Sequence, residues 1–274
     1  MAHFVKAHGL GNDYLVMDPA TLPFEVTPAA ARLICDRNRG VGSDGILLVV
    51  PSETADVALR ILNPDGSEAE KSGNGVRIFA KFLREHGYTK QDAFVVETLG
   101  GPVSVRLRRE GDRVTEVVAD MGAARFGQVD AIEVDGERLA VTSVSVGNPH
   151  CVVVVPDIDA VDVRGLGPRI ETHPAFPDRT NVQFVQVLSR GTVRAEIWER
   201  GAGYTLASGS SSCAVAAACH RLGLVDAEVT VSMPGGDLFI SIADDGQIRM
   251  RGPVAEVCSG DLSPELLEAI AAAG

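Results

Sequence analysis

Two serine residues occupy the positions at which this sequence is best arranged for chemistry. Ser72 opens the stretch SGNGVRIFAKFL and Ser208 opens SGSSSCAVAAAC, and each stretch has the pattern of a helix. A helix N-terminus has free backbone N–H groups and the positive end of the helix dipole, so it binds carboxylate or phosphate. Because serine is also a preferred N-cap residue, the spacing alone leaves both a capping role and a chemical role open.

The two serines fall at equivalent points of an internal repeat. Segments 61–87 and 197–223 align without a gap at an offset of 136, which places Ser72 on Ser208. Further landmarks keep this offset: Gly11 with Gly147, Asn12 with Asn148, Gly73 with Gly209, and Gly87 with Gly223. The offset is far longer than the period of a solenoid, which is about 20–50 residues. The sequence therefore predicts two copies of one domain, and the equivalence favours a chemical role for both serines.

Each copy predicts a sheet that surrounds one helix. An Asn-containing turn is followed by three apolar strands, a glycine-rich turn, a helix and hairpin-like strands. In the first helix, Val76, Phe79, Ala80 and Leu83 follow the i, i+3, i+4, i+7 spacing, and the second helix is apolar all round. We therefore expect an α/β (α+β) fold of two pseudo-symmetric domains, each a curved mixed sheet wrapped around a central helix.

The repeat also sets the expected domain boundaries. We place residues 1–119 and a C-terminal helix, 263–274, in the first domain, and residues 120–262 in the second. Thr27-Pro28 and Ser263-Pro264 each pair an N-cap residue with a proline at the first helical position, so both predict helix starts. Because the last helix follows the complete second copy, we expect it to fold back onto the first domain.

Composition narrows the class of protein. The formal charge of −12 disfavours nucleic acid and anionic membranes as partners. There is no apolar run of membrane-spanning length and no signal-peptide pattern at the start, so we expect a cytoplasmic protein with a small-molecule partner. An odd number of cysteines without a CxxC motif argues against a disulfide framework and a zinc site. All five cysteines are expected in apolar surroundings: Cys35, Cys151, Cys213, Cys219 and Cys258.

Five ordered motifs resemble the marker segments of a known family. HGLGNDYLV, NPDG with SGNGVRIFAKFL, GNPHCVVVV, TNVQFV and ERGAGYT with SGSSSCA look like those of the diaminopimelate epimerase family, from residue 8 to about residue 258. The resemblance implies the two-domain fold, closure of the domains on a substrate, a homodimer and no cofactor or metal. It also implies a two-base mechanism, in which one thiolate removes the α-proton and a thiol returns a proton on the other face.

The resemblance also implies the identity of the site residues. Ser72 and Ser208 correspond to the two proton-transfer cysteines of the family, and His150 and Glu199 flank the reacting centre. The α-carboxylate binders correspond to Gly73, Asn74, Gly209 and Ser210. The remaining substrate binders correspond to Asn12, Asn63, Asn148, Asn181, Glu199 and Arg200.

The sequence departs from the family pattern at several of these positions. A free thiol has a pKa of about 8.5, which a helix N-terminus can lower towards neutral pH. An alcohol needs a neighbouring base instead. Gly45 stands where the family usually has Gln, and Tyr204 where it has Glu. The segment SGSSSCA differs from the family's Cys-Gly-Thr-Gly pattern at more than one position. We interpret these changes as a natural divergent branch, because an engineered cysteine-to-serine pair would leave its neighbours unchanged.

The leading functional hypothesis is cofactor-independent epimerisation of LL- to meso-diaminopimelate by an isomerase of lysine and peptidoglycan precursor synthesis. One alternative is a divergent isomerase that acts on another amino acid or small carboxylate. Another is a non-catalytic amino-acid-binding homologue that lost its acid/base pair. A hydrolytic triad of a serine with His150 and Glu199 stays open, although neither serine lies in a G-x-S-x-G elbow.

Overall fold

The computed structural model describes residues 2–273, in which β-strands predominate and helices are few. The chain divides into two compact units. The first contains the residues up to Ala119 and those from Pro253 onward, and the second is Asp120–Gly252.

The first unit is a mixed sheet with three helices. Its strands are β1 (His3–Gly9), β2 (Asn12–Met17), β3 (Ile46–Val50), β4 (Val57–Leu62), β5 (Glu68–Ala69), β6 (Ala93–Thr98), β7 (Gly101–Glu110), β8 (Arg113–Ala123) and β20 (Ala255–Asp261). Its helices are α1 (Pro28–Cys35), α2 (Gly73–Glu85) and α5 (Pro264–Ala273). The strand order is β20-β1-β2-β3-β4-β6-β7-β8, with β5 beside β4. Neighbours are antiparallel except for the parallel pairs β2–β3 and β4–β6.

The second unit repeats this arrangement. Its strands are β9 (Arg125–Phe126), β10 (Ala131–Val134), β11 (Glu137–Ala140), β12 (Thr142–Ser145), β13 (Pro149–Val154), β14 (Asn181–Ser189), β15 (Thr192–Glu199), β16 (Gly203–Thr205), β17 (Glu228–Met233), β18 (Gly236–Ile242) and β19 (Gln247–Pro253). Its helices are α3 (Val163–Glu171) and α4 (Gly209–Arg221). The order β9-β12-β13-β14-β15-β17-β18-β19 again has two parallel pairs, β13–β14 and β15–β17. Strand β16 lies beside β15, as β5 lies beside β4.

This correspondence confirms the predicted fold class and its duplication. Helix α2 packs against β1, β2, β4 and β7, and α4 packs against strands from β12 to β18. A sheet whose distant strands contact one helix must curve around it. The predicted core face of α2 is buried, as are nearly all positions of α4. Each large apolar side chain removed from water stabilises the fold by about 1.5–3 kcal/mol.

One stretch lies in a different unit from the one that the sequence predicted. Residues 253–262, which the repeat placed in the second domain, belong to the first unit. The physical reason is backbone pairing, because β20 forms an antiparallel ladder with β1 from His3 to His8. Cys258 lies on this strand and is exposed, so its predicted apolar surroundings were wrong, whereas the other four cysteines are buried.

The peripheral helices begin where the cap pattern predicted. Thr27 Oγ1 accepts a hydrogen bond from Ala30 N, and Ser263 Oγ accepts one from Leu266 N, both at 3.2 Å. Helix α5 packs against α1, where Ile270 joins a cluster of buried apolar side chains. Among residues 2–273, no helix is both long enough and apolar enough to cross a membrane.

Candidate functional site

The N-terminus of α2 holds Ser72 in contact with a tyrosine. Ser72 is the N-cap residue, with extended backbone angles, and its Oγ accepts a hydrogen bond from Gly75 N at 3.0 Å. The hydroxyl of Tyr14 lies 3.2 Å from the same Oγ. The serine is therefore both a helix cap and the partner of a phenol, whose phenolate form is the neighbouring base that an alcohol needs for proton transfer.

Gly45 leaves room for this tyrosine. A Cβ atom at position 45 would lie 2.8 Å from Cε1 of Tyr14 and 2.6 Å from the carbonyl oxygen of Leu62. Both distances are too short for a Cβ atom, so a side chain here would require shifts of the Tyr14 ring and of the backbone at Leu62. The glycine that replaces the family's usual Gln is thus coupled to the placement of the Tyr14 ring.

The asparagines of the first unit are bonded to other residues of the protein. Asn12 Nδ2 donates to Asp44 Oδ2 at 2.8 Å, and Asn12 Oδ1 accepts from Asn74 Nδ2 at 3.0 Å. Asn63 lies in the turn after β4, where its Nδ2 donates to Ser67 Oγ at 3.0 Å. The structure therefore brings Asn12 and Asn74 together, while Asn63 takes part in a local turn. We call Asn12, Tyr14, Ser72 and Asn74 the first half-site.

A charged cluster supports the turn that contains Asn12. Lys6 Nζ lies 3.0 Å from Asp13 Oδ2, and Arg37 contacts both Asp13 and Asp44. Burial acts to raise the pKa of Asp13, but the hydrogen bonds from Arg37 and Lys6 outweigh it and hold that pKa below its ordinary value. Asp13 is therefore a structural anion and a poor proton acceptor.

The N-terminus of α4 holds Ser208 in different surroundings. Ser208 is a buried N-cap residue, and its Oγ lies 3.5 Å from Ser211 N. Its carbonyl oxygen accepts a hydrogen bond from Ser212 Oγ at 2.8 Å. Within residues 2–273, the N–H of Ser211 is the only hydrogen-bond partner of the Ser208 hydroxyl. Among the described residues, no phenol or imidazole forms a hydrogen bond with this hydroxyl.

His150 is buried beside this helix as a neutral imidazole. Its Nε2 lies 2.9 Å from Asn148 Oδ1, and its Nδ1 lies 3.0 Å from Gln183 Nε2. Gln183 Nε2 also donates to Ser211 Oγ at 3.0 Å. Burial lowers the pKa of His150 to about 3, so the ring stays uncharged at neutral pH. We call Asn148, His150, Gln183, Ser208 and Ser211 the second half-site.

The remaining predicted substrate binders of the second unit lie around the end of β15. Asn181 Nδ2 donates to the carbonyl of Pro149 at 2.8 Å, and its Oδ1 accepts from Arg200 N at 3.0 Å. The Arg200 guanidinium is exposed apart from one contact, 3.2 Å to the carbonyl of Asp178. Glu199 is the last residue of β15 and is partly buried. Asn181 thus holds the turn that carries Arg200, while the guanidinium can reach a ligand.

Tyr204 differs in role from the Glu that the family usually has there. Its hydroxyl donates to Glu196 Oε2 at 2.7 Å, and the Arg164 guanidinium lies over its ring at 4.2 Å. Burial, together with the Glu196 carboxylate, raises the pKa of Tyr204 to about 12. This phenol is therefore engaged within its own unit and is no substitute for a carboxylate.

Sequence reasoning missed three residues that contact the predicted site: Tyr14, Gln183 and Ser211. A signal was present in the repeat, because the offset of 136 places Tyr14 on His150 and Gly75 on Ser211. Positions that keep their place but change residue type are where two copies of one domain can acquire different chemistry.

Solved structures share this fold at low sequence identity. A probable proline racemase from Agrobacterium radiobacter K84 superposes with a TM-score of 0.76 at 17% identity, over 96% of this chain and 93% of that one. A phenazine biosynthesis protein from Bacillus anthracis gives a TM-score of 0.73 at 17% identity, over 94% and 98%. At this identity the likeness shows the fold alone.

Sequence relatives are much more similar. Diaminopimelate epimerase 2 of a Nostoc species is 47% identical, over 96% of both chains. The diaminopimelate epimerase of Pelotomaculum thermopropionicum is 46% identical, over 94% of this chain and 98% of that one. The family model for diaminopimelate epimerase matches residues 4–127 and 142–257, which include both half-sites. With relatives this similar along nearly its whole length, the chain belongs to the diaminopimelate epimerase family.

Proposed function

We propose that the protein epimerises diaminopimelate between its LL and meso forms without a cofactor, as an isomerase of lysine and peptidoglycan precursor synthesis. The observation that carries this proposal is the family match over both half-sites, with relatives at 46–47% identity that are named diaminopimelate epimerases. This chemistry belongs with cytoplasmic small-molecule metabolism, as the sequence predicted. Assembly as a homodimer stays a prediction.

In this proposal, backbone amides and charged side chains hold the substrate. The helix starts at Gly73-Asn74 and Gly209-Ser210 offer N–H groups and positive dipole ends to the α-carboxylate. The Arg200 guanidinium pairs with a second carboxylate, and Glu199 pairs with an ammonium group. Such an arrangement fits a substrate with an amino-acid group at each end.

Proton transfer in this proposal begins at Ser72. Its Oγ takes the α-proton while its own proton passes to the phenolate form of Tyr14, 3.2 Å away, and the electron pair stays on the substrate as a carboxylate-stabilised carbanion. Ser208 donates its hydroxyl proton to the opposite face and is reprotonated from solvent, and Tyr14 then returns the proton that it accepted to solvent. Because alcohols are weaker acids than thiols, we expect slow turnover.

A deuterium-exchange experiment tests the proposal. The protein is incubated in deuterium oxide with diaminopimelate, lysine, glutamate and proline, and NMR follows loss of the α-proton. We expect exchange on diaminopimelate alone, with both epimers appearing. Exchange on a different amino acid would replace the substrate, and no exchange on any would overturn the catalytic proposal.

A second candidate function is binding without catalysis. The observation that favours it is the environment of Ser208, whose hydroxyl is hydrogen-bonded to a backbone N–H and to no acid/base side chain in the part of the chain that the structure describes. Calorimetry alongside the exchange experiment separates the two functions. Tight binding of diaminopimelate with no α-proton exchange would support a binding protein.

A further inference from the structure

The second half-site contains a buried chain of three side-chain hydrogen bonds. It runs from Ser211 through Gln183 and His150 to Asn148, with donor–acceptor distances of 3.0, 3.0 and 2.9 Å. Ser211 and Gln183 have no solvent exposure and His150 has 1%, whereas Asn148 is partly exposed. The chain thus links the first turn of α4 to a residue that can contact a ligand.

The first half-site has no such chain at the corresponding positions, and its side-chain hydrogen bonds run instead from Arg77 through Asn74 to Asn12. At the offset of 136, Gln183 corresponds to Leu47 and Ser211 corresponds to Gly75, neither of which has a polar side chain. A Cβ atom at position 75 would lie 3.1 Å from Cβ of Ser72 and 3.2 Å from both Cδ2 of Leu47 and Oγ of Ser72, so there is little room for a side chain there. The second copy therefore has polar side chains at two positions where the first copy has none.

The two N–H groups of Gln183 determine which atoms donate and which accept along this chain. The amide of Gln183 has two N–H groups, and both are used, one toward His150 Nδ1 and one toward Ser211 Oγ. In a neutral ring, an Nδ1 that accepts requires the proton to lie on Nε2. That Nε2–H then donates to Asn148 Oδ1.

A reversed amide is less favourable. Gln183 Oε1 is buried without a hydrogen-bond donor among the described residues. If the amide were turned around, its NH₂ group would lie at that place, and two unpaired N–H groups would be buried instead of one unpaired oxygen. The observed direction therefore has the lower desolvation cost.

The consequence lies at the exposed end of the chain. Since Asn148 Oδ1 accepts from His150, the Nδ2 of Asn148 is turned away from the ring. This Nδ2 has no acceptor among residues 2–273. In the first half-site the corresponding Nδ2, that of Asn12, already donates to Asp44. Of these two asparagines, Asn148 has both N–H groups available to an external acceptor, whereas Asn12 has already used one of its two.

We propose that Gln183 and Ser211 are positioning residues, which hold His150 in its Nε2–H tautomer and thereby make Asn148 a hydrogen-bond donor to a carboxylate of the substrate. The ligand part of this inference rests on the proposed function. The tautomer part does not, since it concerns the protein alone. Gln183 and Ser211 thus determine specificity indirectly, because they act through the side chains of His150 and Asn148.

Nitrogen NMR of histidine-labelled protein tests the tautomer. The spectrum should show His150 with a pyridine-like Nδ1 and a pyrrole-like Nε2, unchanged from pH 8 to pH 5. In Gln183→Leu, which installs the residue of the first copy, Nδ1 loses its donor and we expect a mixture of tautomers. Ser211→Ala should give a smaller change, because the Gln183–His150 bond remains. Gln186→Leu, on the same strand, is the matched control, since Gln186 bonds only the carbonyl of Pro156.

Ligand binding tests the consequence for specificity. Calorimetry compares diaminopimelate with its diamide, in which both carboxylates are neutral carboxamides. In Gln183→Leu the hydrogen bond from Asn148 to the charged carboxylate is lost, so we expect the preference for diaminopimelate over the diamide to fall about tenfold. In Gln186→Leu this preference should stay constant.

The outcomes separate the two parts. A single, unchanged tautomer in Gln183→Leu would overturn the positioning role. A changed tautomer with an unchanged preference would overturn the contact between Asn148 and a carboxylate. If the unmodified protein binds no diaminopimelate, the proposed function fails while the NMR result still decides the tautomer. Should Gln183→Leu not fold, Gln183→Met, which keeps the length of the side chain and also lacks an N–H donor, takes its place in both measurements.

Discussion

The N-termini of α2 and α4 share a backbone and differ in what surrounds their serines. Both helices begin at a Ser-Gly pair, with an N-cap residue of nearly the same backbone angles. Ser72 contacts the phenol of Tyr14, whereas Ser208 contacts only the N–H of Ser211. At the position that corresponds to Tyr14, the second half-site has His150, which is bonded to Asn148 and Gln183 instead of to the serine.

This difference shows which properties a duplicated fold preserves. The order and direction of eight strands are the same in both units, so the backbone N–H groups at the helix starts are preserved with them. The acid/base environment of each serine depends instead on the one or two side chains near its hydroxyl, which differ between the units. The first half-site therefore has the side chains for proton transfer at its serine, whereas the second has side chains that orient the neutral amide of Asn148.

The largest expected effect comes from restoring thiols in both copies. Ser72→Cys with Ser208→Cys should raise α-proton exchange on diaminopimelate by about 10²-fold or more, because a thiolate at a helix N-terminus is a competent base. Exchange is followed by NMR in deuterium oxide. The two single variants sharpen the comparison, since Ser208→Cys should gain proportionally more from its lower starting point. No gain in a folded double variant that binds diaminopimelate would argue for different chemistry or none.

Replacement of Arg200 should weaken substrate binding more than replacement of Ser72. Arg200→Ala should weaken diaminopimelate binding by about 2–5 kcal/mol, because a charged partner is lost. Ser72→Ala should cost about 0.5–1.5 kcal/mol, as for one neutral hydrogen bond. Titration calorimetry on both variants gives the comparison. Equal losses would remove Arg200 from the recognition role.

Acid should destabilise the second unit before the first. Burial lowers the pKa of His150 to about 3 from an ordinary value of 6.5, so the unfolded chain binds a proton between these values that the folded chain does not. Stability is complete above pH 6.5 and falls by up to about 1.4 kcal/mol per pH unit below it. The lowered pKa of Asp13 acts in the same direction, but only below its ordinary value of 3.8.

Urea titrations at pH 7, 6 and 5 measure this dependence. The single tryptophan, Trp198, lies in the second unit, so its fluorescence reports on that unit, whereas circular dichroism reports on the whole chain. The His150→Asn variant should be less stable at pH 7 and should lose the dependence between pH 7 and 5. If the unmodified protein were equally stable at pH 7 and 5, a neutral His150 would be ruled out.

The last prediction tests the phenol of the first half-site. Tyr14→Phe keeps the ring and removes the proposed base of Ser72, so α-proton exchange should fall about 10²-fold, the lower end of the contribution of a general base. The rise of exchange with pH should also flatten. Tyr204→Phe is the matched control, since its phenol bonds Glu196 in the second unit. The same rate and pH profile in Tyr14→Phe as in the unmodified protein would make Ser72 a cap.

The fold was largely readable from the sequence because its determinants are local and repeated. Caps at Thr27 and Ser263, the apolar spacing in α2 and the uniform apolarity of α4 each specify an element without knowledge of its neighbours. The offset of 136 then specified that those elements occur twice. The position of β20 was not readable, because pairing between residues near the two ends of the chain leaves no periodic signal in either segment.

By itself, the sequence determined the family, the duplication and the placement of a serine at the start of each central helix, all of which depend on residue type and spacing along the chain. The tertiary structure alone decided which side chains reach those serines. Tyr14 and Ser72 are 58 residues apart, and Gln183 lies 33 residues from His150 and 28 from Ser211. Hydrogen bonds and burial act over a few ångströms in space, so the ionisation and direction of these groups are set only when packing brings distant residues together.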